Sequence, residues 1–199
     1  MTFGFKAVIA AWFAVFFLAS CADTATPTFL STDITNVDFG RELKLPGPTG
    51  EVRTIADFKG KVVVLFFGYT QCPDICPATM GKLTGAMRKL GTDASRVQVL
   101  FVSLDPARDT PVVLREYLSA FNPAFIGLSG DAKATQDVAN EFKIVYQKAT
   151  GDSQDRHVME HSAGTYIFDP QGRLRLYVSS EKGEDIFTHD IAQLLKTAG

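Results

Sequence analysis

Val62-Val63-Val64-Leu65-Phe66-Phe67-Gly68-Tyr69-Thr70-Gln71-Cys72-Pro73-Asp74-Ile75-Cys76-Pro77 holds a strand, a turn and the start of a helix. Through Phe67 it is apolar without alternation and β-branched at its start. That is the pattern of a strand covered on both faces, hence of an α/β sheet. Pro73 disfavours helical conformation at Cys72, and Pro77 does so at Cys76. A proline is accepted in the first helical turn, where its missing N–H costs nothing. This predicts Cys76 as the N-cap and Pro77 as the first helical residue. Met80, Leu83, Met87 and Leu90 follow at helical spacing as an inner stripe, so the methionines read as core rather than metal ligands.

Downstream, residues 97–102 form a second apolar strand. Asp109-Thr110-Pro111 then starts a helix, a polar cap followed by proline, with Leu114, Tyr117, Leu118 and Phe121 on its apolar face. A third strand over 125–128 and a helix over about 132–142 follow. A strand over 165–168 turns at Asp169-Pro170-Gln171-Gly172 into a return strand on which Leu174, Leu176 and Val178 alternate. A last helix over about 184–197 packs through Phe187, Ile191, Leu194 and Leu195. Upstream, Gly47-Pro48-Thr49-Gly50 joins two short edge strands. The order predicts an α/β, thioredoxin-like fold with an N-terminal strand hairpin and an inserted strand–helix unit.

The two cysteines of the opening stretch sit at a helix N-terminus, whose positive end favours thiolate, the form that binds metals and attacks disulfides. Three intervening residues allow either a chelate or a disulfide. A purely structural bridge across so short a loop would constrain the unfolded chain little. Of the three histidines, His189 reads as a solvated helix residue and His157 as part of the polar run 151–156. His161 ends a loop before the strand at Thr165. In a thioredoxin topology the segment entering that strand lies against the cysteines, and thioredoxins place a cis-proline there. This chain has no proline between Pro123 and Pro170, which makes His161 the candidate ligand. Two thiolates and an imidazole suit Cu(I) and, with an added ligand, Cu(II). A structural zinc site would call for a fourth ligand.

The N-terminus carries Lys6 and then an apolar run, residues 7–19, shorter than the about 20 residues of a bilayer span. It fits a signal peptide. Leu18-Ala19-Ser20-Cys21 resembles a bacterial lipobox, which would make Cys21 a lipidated N-terminus. Of the three cysteines of this 199-residue chain, Cys72 and Cys76 would then stand as a lone pair in an oxidising compartment. The expected layout is a lipoprotein signal peptide over 1–20, a lipidated tether over 21–33 and one domain over 34–199. A net charge of −2 and the lack of a basic cluster argue against a nucleic-acid partner.

Three separated motifs share one family likeness. Residues 66–77 resemble the copper-loop segment of the Sco/SenC proteins, the assembly factors of cytochrome c oxidase. Val102-Ser103-Leu104-Asp105-Pro106-Ala107-Arg108-Asp109-Thr110-Pro111 is similar to that family's second signature. Glu160-His161-Ser162 with Tyr166-Ile167-Phe168-Asp169-Pro170-Gln171-Gly172 resembles the third, with Glu160 where the family usually has Asp. The resemblance implies copper held by Cys72, Cys76 and His161. It also implies a metallochaperone role in building the dinuclear copper site of oxidase subunit II. The alternative is a thiol–disulfide oxidoreductase that keeps that subunit's cysteines reduced, with Cys72 and Cys76 as redox thiols. Partners would be oxidase subunit II, other periplasmic copper carriers and a membrane reached through the lipid anchor. The location would be the bacterial periplasm, at the inner membrane on functional grounds. A general thioredoxin-like reductase, with Cys-x-x-Cys and a cis-proline, has no need of His161. A peroxiredoxin would want Thr three residues before its reactive Cys, whereas Thr70 is two before Cys72.

Overall fold

The computed structural model describes residues 27–148, 159–161 and 164–197. The chain runs β1 (Thr32–Asp33), β2 (Leu45–Pro46), β3 (Val52–Arg53), β4 (Val62–Gly68), α1 (Ile75–Leu90), β5 (Val97–Ser103), α2 (Pro111–Ser119) and β6 (Ile126–Leu128). It continues with α3 (Ala132–Glu141), β7 (Tyr146–Lys148), β8 (Met159–His161), β9 (Gly164–Phe168), β10 (Leu174–Ser179) and α4 (Glu184–Lys196). Six strands form one sheet in the order β1-β10-β9-β4-β5-β6. β4 and β5 are parallel, in register from Val62↔Val97 to Gly68↔Ser103, and β6 continues them in parallel. β9 runs antiparallel to β4 and β10 antiparallel to β9. This is the thioredoxin-like arrangement, with β6–α3 as the inserted unit and β2–β3 as the N-terminal hairpin.

The even apolar run of β4 divides between two cores, because successive side chains point to opposite faces. Val62, Val64 and Phe66 join Val99 and Phe101 under Met80, Leu83, Leu114, Leu118 and Phe187, so α1, α2 and α4 cover one face. Val63, Leu65 and Phe67 join Leu100, Val102, Val138 and Phe142 on the other, beneath α3 and the N-terminal segment. Met80 is fully buried and Met87 nearly so, which makes the methionines core, as the stripe predicted.

Three local features differ from the sequence expectation. Ordered contacts begin ahead of Ile34: the buried carboxylate of Asp190 on α4 accepts the Leu30 and Ser31 N–H groups, both at 2.9 Å, and the Ser31 hydroxyl. β1 then pairs with β10. The short segment before β9 contains a ribbon in which Tyr146 faces His161 and Gln147 faces Glu160, so His161 belongs to a strand. Each half is too short for periodicity to reveal it. The third difference is the start of α1, described with the site.

Candidate metal centre

Asp74 is the N-cap of α1, and its carbonyl accepts the Ala78 N–H at 3.1 Å. Cys76 and Pro77 therefore lie inside the first turn, two residues later than the sequence placed them relative to the cap. The first N–H groups of a helix have no partner within it, so proline is tolerated at this third position as well as at the first. One of those N–H groups finds an unusual acceptor, since the Cys76 N–H donates to Cys72 Sγ at 3.4 Å. The Cys72 N–H donates to the Tyr69 carbonyl at 3.2 Å, closing the turn that precedes it.

The two sulfurs, both thiols in this structure, differ in environment. Cys72 is half-buried and touches both cores, whereas Cys76 is fully buried. The hydrogen bond with Cys72, and then burial, push the Cys76 thiol up. At Cys76, the hydrogen bond with Cys72 and burial thus oppose the helix end, which favours thiolate. Metal binding at Cys76 must therefore expel a proton.

Gly68 ends β4 directly beneath the pair. A Cβ there would stand 2.8 Å from both Cys76 Sγ and Phe66 Cε1, and 3.1 Å from Phe101 Cζ. Gly68→Ala is expected to cost about 1–3 kcal/mol through overpacking and to displace Cys76. Urea unfolding measures it; an unchanged midpoint would mean that the sulfur has room to move.

The segment between β5 and α2 braces the loop. The Asp109 carboxylate, 1% exposed, accepts from the Thr70 N–H (3.1 Å), the Thr70 hydroxyl (2.6 Å) and the Ser103 hydroxyl (2.7 Å). Burial pushes its carboxyl up, against the lowering effect of the Thr70 and Ser103 hydrogen bonds. Arg108 pairs with Asp105, donates to Gln71 Oε1 at 3.0 Å and lies 6.0 Å from the Tyr69 ring centre. Residues 69–71 are thus held from one side by Arg108 and Asp109. By sequence alone Asp109 reads as part of a helix cap. Thr110 alone caps α2, accepting from the Val113 N–H, while Asp109 turns back to the cysteine loop. The signal was available in the Asp105-to-Asp109 run but had no assigned partner.

β9 pairs Thr165 with Phe66 of β4, so β9 begins at the end of the sheet where the cysteine loop leaves. In α/β sheets the carboxyl ends of parallel strands are where ligands bind. His161 is placed by its backbone pairing with Tyr146; its side chain, and the whole of His157, lie outside the described residues. Cys21 and the apolar run before it lie outside them as well. Among the described residues no peptide is cis, and no helix is long and apolar enough to cross a membrane. His189 is not simply solvated, since its Nδ1 sits 2.8 Å from the buried Asp190 carboxylate. A cleft of about 570 Å³ is lined by Asn36, Phe39, Arg41, Arg173 and Arg175 among others, and neither cysteine lines it. Of the two sulfurs, Cys72 is the one that solvent reaches.

The SCO1/SenC family model matches residues 31–196. The chain is 37% identical over 139 residues to the SCO2-like protein of Rickettsia felis, covering 69% of this chain and 68% of that one. It is similar to the solution structures of apo Sco1 from Thermus thermophilus, with 40% identity and a TM-score of 0.76 over 86% of this chain and 99% of that one. ScoI of Bradyrhizobium japonicum, solved with copper bound, shares 32% identity and a TM-score of 0.72 over 79% and 99%.

Proposed function

This chain belongs to the SCO1/SenC family, and from that premise we propose that it carries copper on Cys72, Cys76 and His161. It passes the ion to the dinuclear copper site of cytochrome c oxidase subunit II during assembly. The observation that carries the reading is the cysteine pair itself: one reachable and one buried sulfur at a helix N-terminus, on a loop pinned by Asp109 and Arg108. Copper is cargo here. Two sulfurs and an imidazole match its softness, and ScoI of Bradyrhizobium japonicum, similar over nearly its whole length, holds copper. The half-exposed Cys72 offers a partner's ligand a place to begin exchange, while the buried Cys76 retains the ion until exchange completes. The proposed layout is a signal peptide over residues 1–20, Cys21 lipidated, and a periplasmic domain tethered to the membrane.

The second reading, a thiol–disulfide reductase for subunit II, is favoured by the same asymmetry. Cys72 as thiolate would attack a partner disulfide and form a mixed disulfide. Cys76, losing its proton, would then attack Cys72 Sγ and release the partner's second thiolate. The partner gains two electrons and this chain ends as the Cys72–Cys76 disulfide.

Copper uptake and disulfide are mutually exclusive, because the same sulfurs serve both. Reduced protein is expected to take up one Cu(I) per chain and fully oxidised protein none, measured by metal analysis after anaerobic desalting. Equal uptake by both samples would reject the cysteine site.

A further inference from the structure

The turn Asp169-Pro170-Gln171-Gly172 belongs to the third motif, yet the copper reading uses none of it. Phe168, just before it, pairs with Val63 near the start of β4, so the turn lies at the end of the sheet opposite the cysteine loop. The Asp169 carboxylate is fully buried there. It accepts from the Gln171 N–H at 3.1 Å, the Arg173 N–H at 3.0 Å, Arg173 Nε at 2.8 Å and Arg175 Nη1 at 3.3 Å. Arg173 Nη2 also donates to Gln171 Oε1 at 3.3 Å, and Arg175 Nε to Thr35 Oγ1 at 2.8 Å. Two guanidiniums are thereby fixed, with Arg173 Nη1 and Arg175 Nη2 left over. Both arginines line the cleft of about 570 Å³ together with Arg41. The Arg41 guanidinium makes no hydrogen bond or ion pair among the described residues; only its backbone N–H is engaged, by Glu141. Among the described residues no carboxylate lines this cleft. Three positive charges against one buried negative charge leave two in excess, and a cleft lined by one sign of charge concentrates counter-ions. The excess is confined, because the neighbouring groove is lined by Glu42, Asp137 and Glu141 beside Lys44. That suits a single anionic group better than an extended anionic surface.

We propose that this cleft is a second ligand site, which takes a phosphate monoester through Arg41, Arg173 and Arg175. Such a group carries close to two negative charges at neutral pH and three acceptor oxygens. That matches both the excess charge and the number of guanidiniums, whereas a single carboxylate supplies one charge and two oxygens. The planar fork of arginine fits phosphate oxygens in pairs, and Asp169 holds two of the forks in place before any ligand arrives. The volume falls within the roughly 300–1,000 Å³ of small-molecule sites and is larger than a lone phosphate needs. Val37, Phe39 and Leu174 also line the cleft and give the organic part of the ligand an apolar wall. The phosphate belongs either to a soluble organic phosphate or to a lipid headgroup, which present the same chemistry. The site involves neither cysteine and stands apart from the copper reading.

The test has two arms at constant ionic strength. One titrates the protein with glycerol 3-phosphate and follows the amide NMR signals of Asn36, Arg41 and Gly172. The other measures co-flotation with phosphatidylcholine vesicles with and without phosphatidic acid, whose headgroup is a phosphate monoester. Saturable one-site binding is expected in at least one arm. Saturation by glycerol 3-phosphate assigns a soluble ligand, and binding confined to the phosphatidic acid vesicles assigns a lipid. Arg41→Gln removes a guanidinium that holds nothing else in the fold, so its melting temperature should match wild type. It should weaken binding about tenfold, as loss of a charged hydrogen bond does. Arg41→Lys, which keeps the charge and loses the fork, should fall between the two. Arg115→Gln removes an exposed arginine on α2 and should change nothing. No saturable binding in either arm would overturn the proposal. So would an equal loss from Arg41→Gln and Arg115→Gln, which would mean that the anion responds to overall charge and not to the cleft.

Discussion

Cys72→Ser and Cys76→Ser are each expected to abolish tight copper binding. A neutral hydroxyl is a poor ligand for a soft ion, so the loss should exceed the roughly 100-fold that changes behind the ligands cause. The two variants should part company in stability. Cys72 is half-buried, and a serine oxygen there can still accept the Cys76 N–H that now reaches Cys72 Sγ, as a serine cap would. Its melting curve should stay close to wild type. Cys76 is fully buried among apolar side chains, so Ser replaces a large, soft sulfur there with a smaller and more polar oxygen. A cost of about 1–3 kcal/mol is expected. Cys76→Ala, which buries no polar group, separates ligand loss from that penalty. Metal analysis after Cu(I) exposure, paired with urea unfolding of the same samples, reads both effects. Stoichiometric copper retained by the double serine variant would remove the sulfurs from the site.

How far the chain could be read in advance follows from what each feature depends on. β4 was legible because a strand buried on both faces needs an unbroken apolar run, and residues 62–67 supply one. The α1 stripe was legible because its periodicity is local. The N-terminus of α1 was misplaced because Pro77 is compatible with several positions in the first turn, and only the Ala78-to-Asp74 hydrogen bond decides among them. The setting of Cys76 is only half legible in the sequence. The helix dipole can be inferred from sequence, but the burial that opposes it comes from the sheet below, from Phe66 and Gly68 on β4 and Phe101 on β5. Asp109 escapes a local reading as the brace of the cysteine loop because its partner, Thr70, is far away along the chain. Tertiary position decides what a buried polar group does, and local pattern carries little of it.

His161→Ala is expected to separate the two functional readings. Disulfide formation and exchange need only Cys72 and Cys76, so the variant should cycle between dithiol and disulfide much as wild type does. Stable copper requires a third donor to close the coordination sphere, and copper retention should collapse. An imidazole must be neutral to bind metal, so wild-type affinity should also weaken as pH falls through about 6.5. The variant should lose that part of the pH dependence, while the part that comes from deprotonating the thiols remains. His157→Ala serves as the matched control. His189→Ala is a second one, since His189 lies against Asp190 on α4. In an oxidase-dependent host at limiting copper, a gene replacement with His161→Ala should abolish oxidase activity if the protein delivers the ion. Activity should persist if the protein only reduces the cysteines of subunit II. Full oxidase activity supported by copper-free His161→Ala protein would overturn the metallochaperone reading in favour of the reductase. A larger loss from His157→Ala would move the third ligand to that residue.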